Sequence, residues 1–288
     1  MLSVEEIRQV RLHEPERVAR ALAERPRGTR PEPGTKLMVI AADHPARGAL
    51  AVGEDAMAMG DRRELLRRCA AALARPGVHG FLGTADLVED LTLMGALDGK
   101  LVYGSMNRGG LRGAGFEMDD RFTGYTSRAI VEAGLDGGKM LLRLDLADPG
   151  SLRTMEATAR AVDELAAAGR TAMVEPFLSR RDGGRATNVL TTEAVVTSVA
   201  IAAGLGGTSA HTWLKLPLVA DMERVAAAST LPALILGGEV TPDAEATEEG
   251  WAQALRLPGI EGLVIGRALL YPHDDDVEGA VDRAVALL

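Results

Sequence analysis

The chain has 288 residues, of which 47% are hydrophobic and 3% aromatic, and its formal net charge is −9. The acidic balance argues against nucleic acid or an anionic membrane as the main partner. Its single cysteine, Cys69, excludes an intrachain disulfide and a multi-cysteine metal site. Because the sequence has no apolar run of membrane-spanning length and no signal-like N-terminus, it predicts a soluble cytoplasmic protein.

The first 35 residues predict a helical extension and a connector. Ser3 and Glu6 fit a capping box, in which each side chain satisfies a backbone N–H at the start of a helix. A second amphipathic stretch follows from about Pro15 to Glu24. Residues 25–34 are rich in Pro, Gly and Arg, a composition typical of a connecting segment.

From residue 36 onward, short apolar segments alternate with alanine-rich helical patterns such as Arg62–Ala74, Leu152–Ala168 and Glu193–Ala203. The predicted strands are Leu37–Asp43, Gly80–Gly83, Leu101–Ser105, Lys139–Asp145, Thr171–Glu175, His211–Leu216, Ala233–Gly237 and Gly262–Ile265. Eight such repeats predict an α/β fold, a (β/α)8 TIM barrel with extra N-terminal helices, in a single domain over residues 1–288. The alternative is a doubly wound open sheet, although no GxGxxG follows the first strand. Residues 106–120 and 177–188 are predicted to be long loops.

Lys215, in the sixth predicted strand, is the residue that we expect at the chemical centre. Alternation places it on one strand face with His211 and Trp213, which we interpret as residues that fill a core layer. The sequence has only four lysines among its 32 Lys and Arg residues, so arginine supplies most positive charges. A buried lysine can lose its proton and act as a nucleophile, whereas arginine cannot. The plainer interpretation is a lysine that pairs with an acid at a strand end.

Other charged residues lie in or at the ends of predicted strands, and a barrel gathers strand ends at one face. Asp43, Lys139, Arg143 and Glu175 should therefore converge near Lys215. Each also has a structural interpretation. In that interpretation Asp43 only caps a loop, Lys139 pairs with a carboxylate, and Glu175 pairs with a neighbouring arginine. Arg143 and Asp145 would then form a structural ion pair inside the barrel.

Glycine and arginine follow the last two predicted strands. Gly237-Gly238 and Gly266-Arg267 stand where TIM barrels often bind phosphate through backbone N–H groups and a cationic side chain. These residues predict a phosphate site, and tight turns are the alternative explanation. If the phosphate lies elsewhere, Arg180, Arg181 and Arg185 in the loop after the fifth strand are the next choice.

The ordered motifs around these residues resemble the class I aldolases of the tagatose-bisphosphate and sulfofructose-phosphate aldolase type, within the wider DeoC/DhnA/LacD-like group. The motifs span about residues 36 to 272 and read AADHPARGA, KMLLRLD, VEPF, WLKLP, LILGGEV and GLVIGRALLYP. The usual Asp-Gln-Arg-Gly of the first strand is replaced by the six residues from Asp43 to Gly48. The residues after Lys139 and Lys215 also differ from the usual pattern, so the family's named sugars are not transferred. Actinobacterial relatives act in carbohydrate catabolism, some of them in inositol breakdown.

The resemblance implies a Schiff base on Lys215, with Asp43, Lys139 and Glu175 in proton transfer and substrate holding. Gly238 and Arg267 would hold phosphate. The expected protein is an aldehyde-lyase that cleaves a phosphorylated ketose or a keto-deoxy-sugar acid, giving dihydroxyacetone phosphate and an aldehyde. It would use no cofactor and no metal, and assembly into a homo-oligomer is left open. The competing hypotheses are a metal-independent sugar-phosphate isomerase or epimerase and a non-catalytic sugar-phosphate-binding protein.

Overall fold

Eight parallel strands close into a barrel in the computed structural model, which describes residues 2–107, 111–182, 185–238 and 244–288. The strands are β1 (Leu37–Ala41), β2 (Gly80–Gly83), β3 (Leu101–Ser105), β4 (Gly137–Leu144), β5 (Thr171–Asp182), β6 (Arg185–Asn188), β7 (Thr212–Leu216), β8 (Ala233–Leu236) and β9 (Ile260–Ile265). All but β6 belong to the barrel, whose order is β1-β2-β3-β4-β5-β7-β8-β9 and back to β1. The predicted TIM barrel is therefore confirmed, and the open sheet is wrong.

Helices cover the outside of the barrel. They are α1 (Val4–His13), α2 (Glu16–Glu24), α3 (Arg62–Ala74), α4 (Ala85–Leu93), α5 (Ser127–Glu132), α6 (Gly150–Ala167), α7 (Thr192–Ala203), α8 (Met222–Ala226), α9 (Ala244–Leu255), α10 (Arg267–Leu270) and α11 (Val277–Ala286). The helix predicted over 62–74 has the observed bounds, and those predicted from 152 and 193 begin one or two residues earlier. No helix in the described part of the chain is long and apolar enough to cross a membrane.

Two apolar layers hold the barrel together. The alternate residues of β4, Met140, Leu142 and Leu144, pack outward into the large core between sheet and helices. A smaller cluster fills the barrel interior and includes Val39, Tyr103 and Val264, with Trp213 packed against it. The outward face of β4 is wholly apolar, as its alternation predicts, so its charged residues point into the barrel.

The N-terminal extension packs against α3 and α4, and its connector reaches the end of the barrel where the strands begin. The capping box is present, since the Ser3 side chain accepts from the N–H of Glu6 and the Glu6 carboxylate accepts from Ser3. Arg25 is buried and donates to the carbonyl oxygens of Leu97 and Lys100, at 3.1 and 2.8 Å. Arg30 lies over the Trp213 ring, 5.3 Å from its centroid. These contacts anchor the connector from below and leave the opposite mouth open.

The predicted long loop over residues 177–188 is wrong. β5 continues to Asp182 and pairs antiparallel with β6, in a register that joins Ser179 to Asn188 and Asp182 to Arg185. The hairpin is fixed from outside the sheet, because Arg181 donates to the carboxylate of Asp148 at 3.1 Å and to the carbonyl of Gly115 at 2.8 Å. The sequence prediction ends at Glu175, before Pro176, whereas the strand continues through Phe177 and Leu178 into the polar residues 179–182.

Candidate active site

Four predicted catalytic residues meet inside the barrel near its C-terminal mouth. Lys139 projects from β4, Glu175 from β5 and Lys215 from β7, and Asp43 lies two residues beyond the end of β1. All four are buried, with exposed fractions of 2% for Lys139, 4% for Lys215, 6% for Asp43 and 7% for Glu175. Charged groups this deep are expensive unless they are paired, which makes their contacts informative.

The four side chains form one chain of ion pairs. Lys215 Nζ donates to Glu175 Oε1 at 2.9 Å. The other oxygen of that carboxylate, Oε2, lies 2.5 Å from Lys139 Nζ, which also donates to Asp43 Oδ2 at 2.9 Å. Among the described residues Glu175 therefore pairs with two lysines and with no arginine, in contrast to the structural interpretation of that residue. The pairing of Lys139 with Asp43 and Glu175 agrees with its structural interpretation.

The pKa values of the two lysines move in opposite directions. Burial lowers the pKa of Lys215, and the charge of Lys139 lowers it further against the opposing effect of Glu175. Burial also acts on Lys139, but Asp43 and Glu175 together outweigh it and raise the pKa. Burial raises the pKa of Glu175, yet the two lysines reverse this and bring it to about 2. The site thus holds one persistent ammonium, Lys139, beside an amine that loses its proton more readily, Lys215.

His44 is a neighbour that the sequence alone did not single out for catalysis. Its Nδ1 lies 3.7 Å from Asp43 Oδ1 and forms no hydrogen bond with the described residues. Burial, followed by the charge of Arg47, holds the pKa of His44 well below its usual range, so the imidazole is neutral at pH 7. The available sequence signal was its position directly after Asp43, in the turn that ends β1.

A cavity of about 880 Å³ opens above the ion-pair chain. Lys215 and Glu175 form part of its wall. All five predicted substrate-binding residues line the same cavity, namely Gly237, Gly238, Gly266, Arg267 and Arg143. Its volume is in the range of small-molecule sites, roughly 300–1,000 Å³. The barrel therefore places the predicted phosphate-binding residues and the predicted nucleophile around one cavity.

The two glycine turns of this cavity are tight for different reasons. A Cβ on Gly266 would lie 2.5 Å from the carbonyl oxygen of Ala41 and 3.2 Å from His44 Cε1. Gly238 has a φ of +69°, a left-handed conformation that favours glycine. These turns bring backbone close to the cavity at the ends of β8 and β9, as a backbone anion site requires.

Arg143 has a different partner from the one expected. Its Nη1 lies 2.8 Å from Oε1 of Glu117, a buried carboxylate in the segment after β3. Asp145 instead accepts from the backbone N–H groups of Ala147 and Arg181, at 3.0 and 3.3 Å. The expected Arg143–Asp145 pair is therefore wrong, because the hairpin and the segment after β3 supply nearer partners for each. Glu117 stands far from any strand in the sequence, so no strand pattern could identify it.

The arginines predicted as an alternative phosphate site, unlike the glycine turns, are not found in the cavity wall among the described residues. Arg180 is exposed and is not part of the cavity wall, and Arg181 is tied to Asp148. The side chain of Arg185 lies outside the described residues. In the described part of the chain, no group of three or more His, Cys, Asp or Glu side chains is placed to hold a metal ion.

Comparisons with known proteins identify relatives of this barrel. A family model described as Cgl0159-like matches residues 35–285. The crystal structure of Cgl0159 from Corynebacterium glutamicum (Brevibacterium flavum) has a TM-score of 0.95 and 54% identity, covering 98% of this chain and 95% of that one. No curated protein matches the sequence.

More distant solved structures share the barrel. A Schiff base forming fructose-1,6-bisphosphate aldolase has a TM-score of 0.64 at 18% identity, covering 93% of this chain and 98% of that one. An archaeal fructose 1,6-bisphosphate aldolase has a TM-score of 0.64 at 16% identity, with coverage of 94% and 98%. At such identities the likeness establishes an aldolase-like TIM barrel fold, and the activity has to be argued from the residues of this chain.

Proposed function

The chain belongs to the Cgl0159-like family, and we propose that this member is a class I aldolase that acts on a phosphorylated ketose or keto-deoxy-sugar acid. The observation that carries the proposal is the buried contact between Lys215 and Glu175 beside the charge of Lys139. A lysine whose pKa is lowered by burial and by a second ammonium is the amine that Schiff-base chemistry needs. The proposal is also supported by the fold, which this chain shares with fructose-1,6-bisphosphate aldolases that include a Schiff base forming enzyme.

The proposed reaction begins with the neutral amine of Lys215 attacking the ketone carbon. Loss of water from the adduct gives a protonated imine, which draws electrons from the bond between the first and second carbons beyond the imine carbon. A carboxylate takes the proton from the hydroxyl of the leaving fragment, and the electron pair of the broken bond moves into the imine to form an enamine. The leaving fragment departs as an aldehyde. Protonation of the enamine and hydrolysis of the imine then release the phosphorylated ketone, dihydroxyacetone phosphate, and restore Lys215.

The other residues have distinct proposed roles. Glu175 is the first choice as proton acceptor because it contacts Lys215 directly, and Asp43 is the second. Lys139 keeps the amine of Lys215 unprotonated. Gly237, Gly238, Gly266 and Arg267 hold the substrate phosphate, and Arg143 contacts the substrate on the opposite side of the cavity. Breakdown of carbohydrates, including inositol, is the metabolic setting that the sequence resemblance suggests.

The test is reductive trapping with dihydroxyacetone phosphate and sodium borohydride, followed by peptide mass spectrometry. We expect one covalent adduct, on the peptide that contains Lys215, and none in the Lys215→Arg variant while it stays folded by circular dichroism. An adduct on Lys139 would identify the wrong nucleophile. No adduct on either lysine would reject the Schiff-base mechanism. A screen of phosphorylated ketoses and keto-deoxy-sugar acids then identifies the substrate through dihydroxyacetone phosphate release.

An isomerase or epimerase would use Glu175 and Asp43 as acid and base without a bond to Lys215. That enzyme would interconvert sugar phosphates without an adduct and without release of an aldehyde. A binding protein would retain the ligand unchanged. The trapping experiment and the aldehyde assay together separate the three functions.

A further inference from the structure

The proposed reaction contains a proton transfer to carbon for which neither carboxylate of the site is suited. Cleavage leaves an enamine on Lys215, and the carbon that carried the leaving fragment must gain a proton before the imine is hydrolysed. Burial raises the pKa of Glu175, but Lys139 and Lys215 bring it to about 2. Burial also raises the pKa of Asp43, and the charge of Lys139 reverses this and holds it well below its usual range. Two ionised carboxylates and an ammonium with a raised pKa, Lys139, leave the proton donor unassigned.

His44 lies in the wall of the same cavity, in the turn that follows β1. Its side chain is 12% exposed, so the ring is largely buried but still accessible to a ligand. One side of the ring faces the turn after β9, since a Cβ on Gly266 would lie 3.2 Å from His44 Cε1. The absence of a side chain at Gly266 therefore makes room for the imidazole beside the cavity.

The imidazole of His44 lies near the groups that would hold the phosphate and the carbonyl of the proposed substrate. Burial and the charge of Arg47 are the main causes of its low pKa, and Asp43 opposes them. The charges of Arg267 and Lys215 lower that pKa further, so the ring stands within electrostatic range of both. A ketone bound by its phosphate at Arg267 and as an imine on Lys215 would have its carbons in the part of the cavity that the ring borders.

Asp43 is placed to fix the orientation of this ring. Its Oδ2 accepts from Lys139 at 2.9 Å, and its Oδ1 lies 3.7 Å from His44 Nδ1. Nδ1 has no hydrogen-bond partner in the described part of the chain, and catalytic hydrogen bonds are often long before a substrate binds. A hydrogen on Nδ1 that points toward Asp43 leaves the lone pair on Nε2, the nitrogen that is then free to exchange a proton with a ligand.

We propose that His44 is a catalytic residue of this site, which transfers a proton to and from the carbon next to the imine through Nε2. The inference rests on the proposed function for the imine on Lys215. After the aldehyde leaves, His44 takes a proton from solvent and gives it to the enamine carbon. The enamine electron pair forms the new C–H bond, and the nitrogen becomes that of a protonated imine. In reverse, neutral His44 removes that proton, and the electron pair of the C–H bond forms the enamine again. Asp43 holds the ring in position for both transfers.

The test follows the proton separately from the imine, with dihydroxyacetone phosphate as the only ligand. In deuterated water, enamine formation and its reversal replace a hydrogen on the hydroxymethyl carbon of this ketone by deuterium, which proton NMR measures. Borohydride trapping of the same mixture measures the imine on Lys215. We expect His44→Gln to slow the exchange by about 100-fold or more, the range of general acid–base catalysis, while the adduct stays close to the wild-type amount. The matched control is His13→Gln, at an exposed histidine that ends α1, which should exchange at the wild-type rate.

A second variant distinguishes proton transfer from a purely structural role of the ring. His44→Ala should also lose the exchange, and imidazole added to the solution should restore it, because the shortened side chain leaves space at the cavity wall for a free base. A wild-type exchange rate in His44→Gln would overturn the proposal, as would an adduct that falls in parallel with the exchange in both variants. If the wild-type protein forms no adduct at all, the proposed function fails and this inference fails with it. An intact adduct with unchanged exchange rejects the role of His44 alone.

Discussion

Lys215 donates to Glu175 across 2.9 Å, and the second oxygen of the same carboxylate is held by Lys139. Lys139 contacts two carboxylates, whereas Lys215 contacts one, and this difference separates their protonation behaviour. The lysine with two partners keeps its proton, and the lysine with one partner faces a fixed positive charge. The second carboxylate partner of Lys139, Asp43, thus distinguishes it from the proposed nucleophile Lys215.

The first prediction concerns the pH dependence of kcat/KM. Lys139→Met removes the charge that lowers the pKa of Lys215, so that pKa should rise in the variant. Activity requires the neutral amine, and the acid limb of the pH profile should therefore move to higher pH. Lys139→Arg keeps a positive charge and should move the limb less. A shift to lower pH in Lys139→Met, or an equal shift in both variants, would contradict the role given to Lys139.

The second prediction concerns stability. At neutral pH, Glu175→Gln leaves two buried lysines without their shared partner, which should lower the free energy of unfolding by about 3–5 kcal/mol. The pKa of Glu175 is about 2 in the folded protein against an ordinary value of 4.5, so its contribution is present above pH 4.5 and is lost as pH falls toward 2. Urea unfolding at pH 6 and pH 3.5 should therefore show a smaller acid loss in Glu175→Gln than in the wild type. Equal losses would mean that Glu175 is not the titrating group.

The strand register explains how much of the site the sequence could predict. Alternation places Lys139, Leu141 and Arg143 on the inner face of β4, and the apolar outer face of that strand makes the assignment secure. The converging ends of β1, β5 and β7 then follow from barrel closure. Periodicity cannot show which charges pair, because a register fixes the face of a side chain and leaves its partners open.

The features of the site that the sequence did not predict lie in irregular segments outside the regular strands and helices of the barrel. Glu117, Arg112 and Arg47 stand in connections where no repeat constrains position. The N–H of Arg112 donates to the carbonyl oxygen of Arg47, and the N–H of Gly113 donates to the Glu117 carboxylate. The β5–β6 hairpin was missed because its residues are polar and extend beyond the barrel core. Hydrophobic periodicity predicts buried strands and helices, so it predicts neither the contacts between these connections nor a polar hairpin outside the core.

The third prediction concerns the phosphate. If Arg267 forms a charge-assisted contact with it, Arg267→Ala should raise KM for a phosphorylated substrate by an amount equivalent to about 1.5–3 kcal/mol. Inorganic phosphate should compete with substrate in the wild type and compete less well in the variant. The control is Arg256→Ala, an exposed arginine just after α9 that does not line the cavity. An unchanged KM in Arg267→Ala would place the phosphate elsewhere.

The fourth prediction concerns metal removal. A protonated imine on Lys215 is itself the electron sink for bond cleavage, so the proposed chemistry leaves no step that needs a Lewis acid. Turnover should survive dialysis against EDTA, with the rate measured through coupled reduction of dihydroxyacetone phosphate. Loss of activity that zinc restores would reject the class I mechanism.

The last prediction separates backbone strain from phosphate binding. Gly238 and Gly99 have nearly the same left-handed φ, +69° and +70°, and a Cβ on either would meet no atom of the described residues beyond its chain neighbours within 4 Å. Alanine at either position should therefore lower the free energy of unfolding by a similar amount, about 1 kcal/mol. Only Gly238 lines the cavity, so only Gly238→Ala should raise KM for a phosphorylated substrate and weaken competition by inorganic phosphate. Urea unfolding measures the first effect and steady-state kinetics the second. If both variants change KM equally, the change reflects general strain, and the turn after β8 has no particular part in holding the anion.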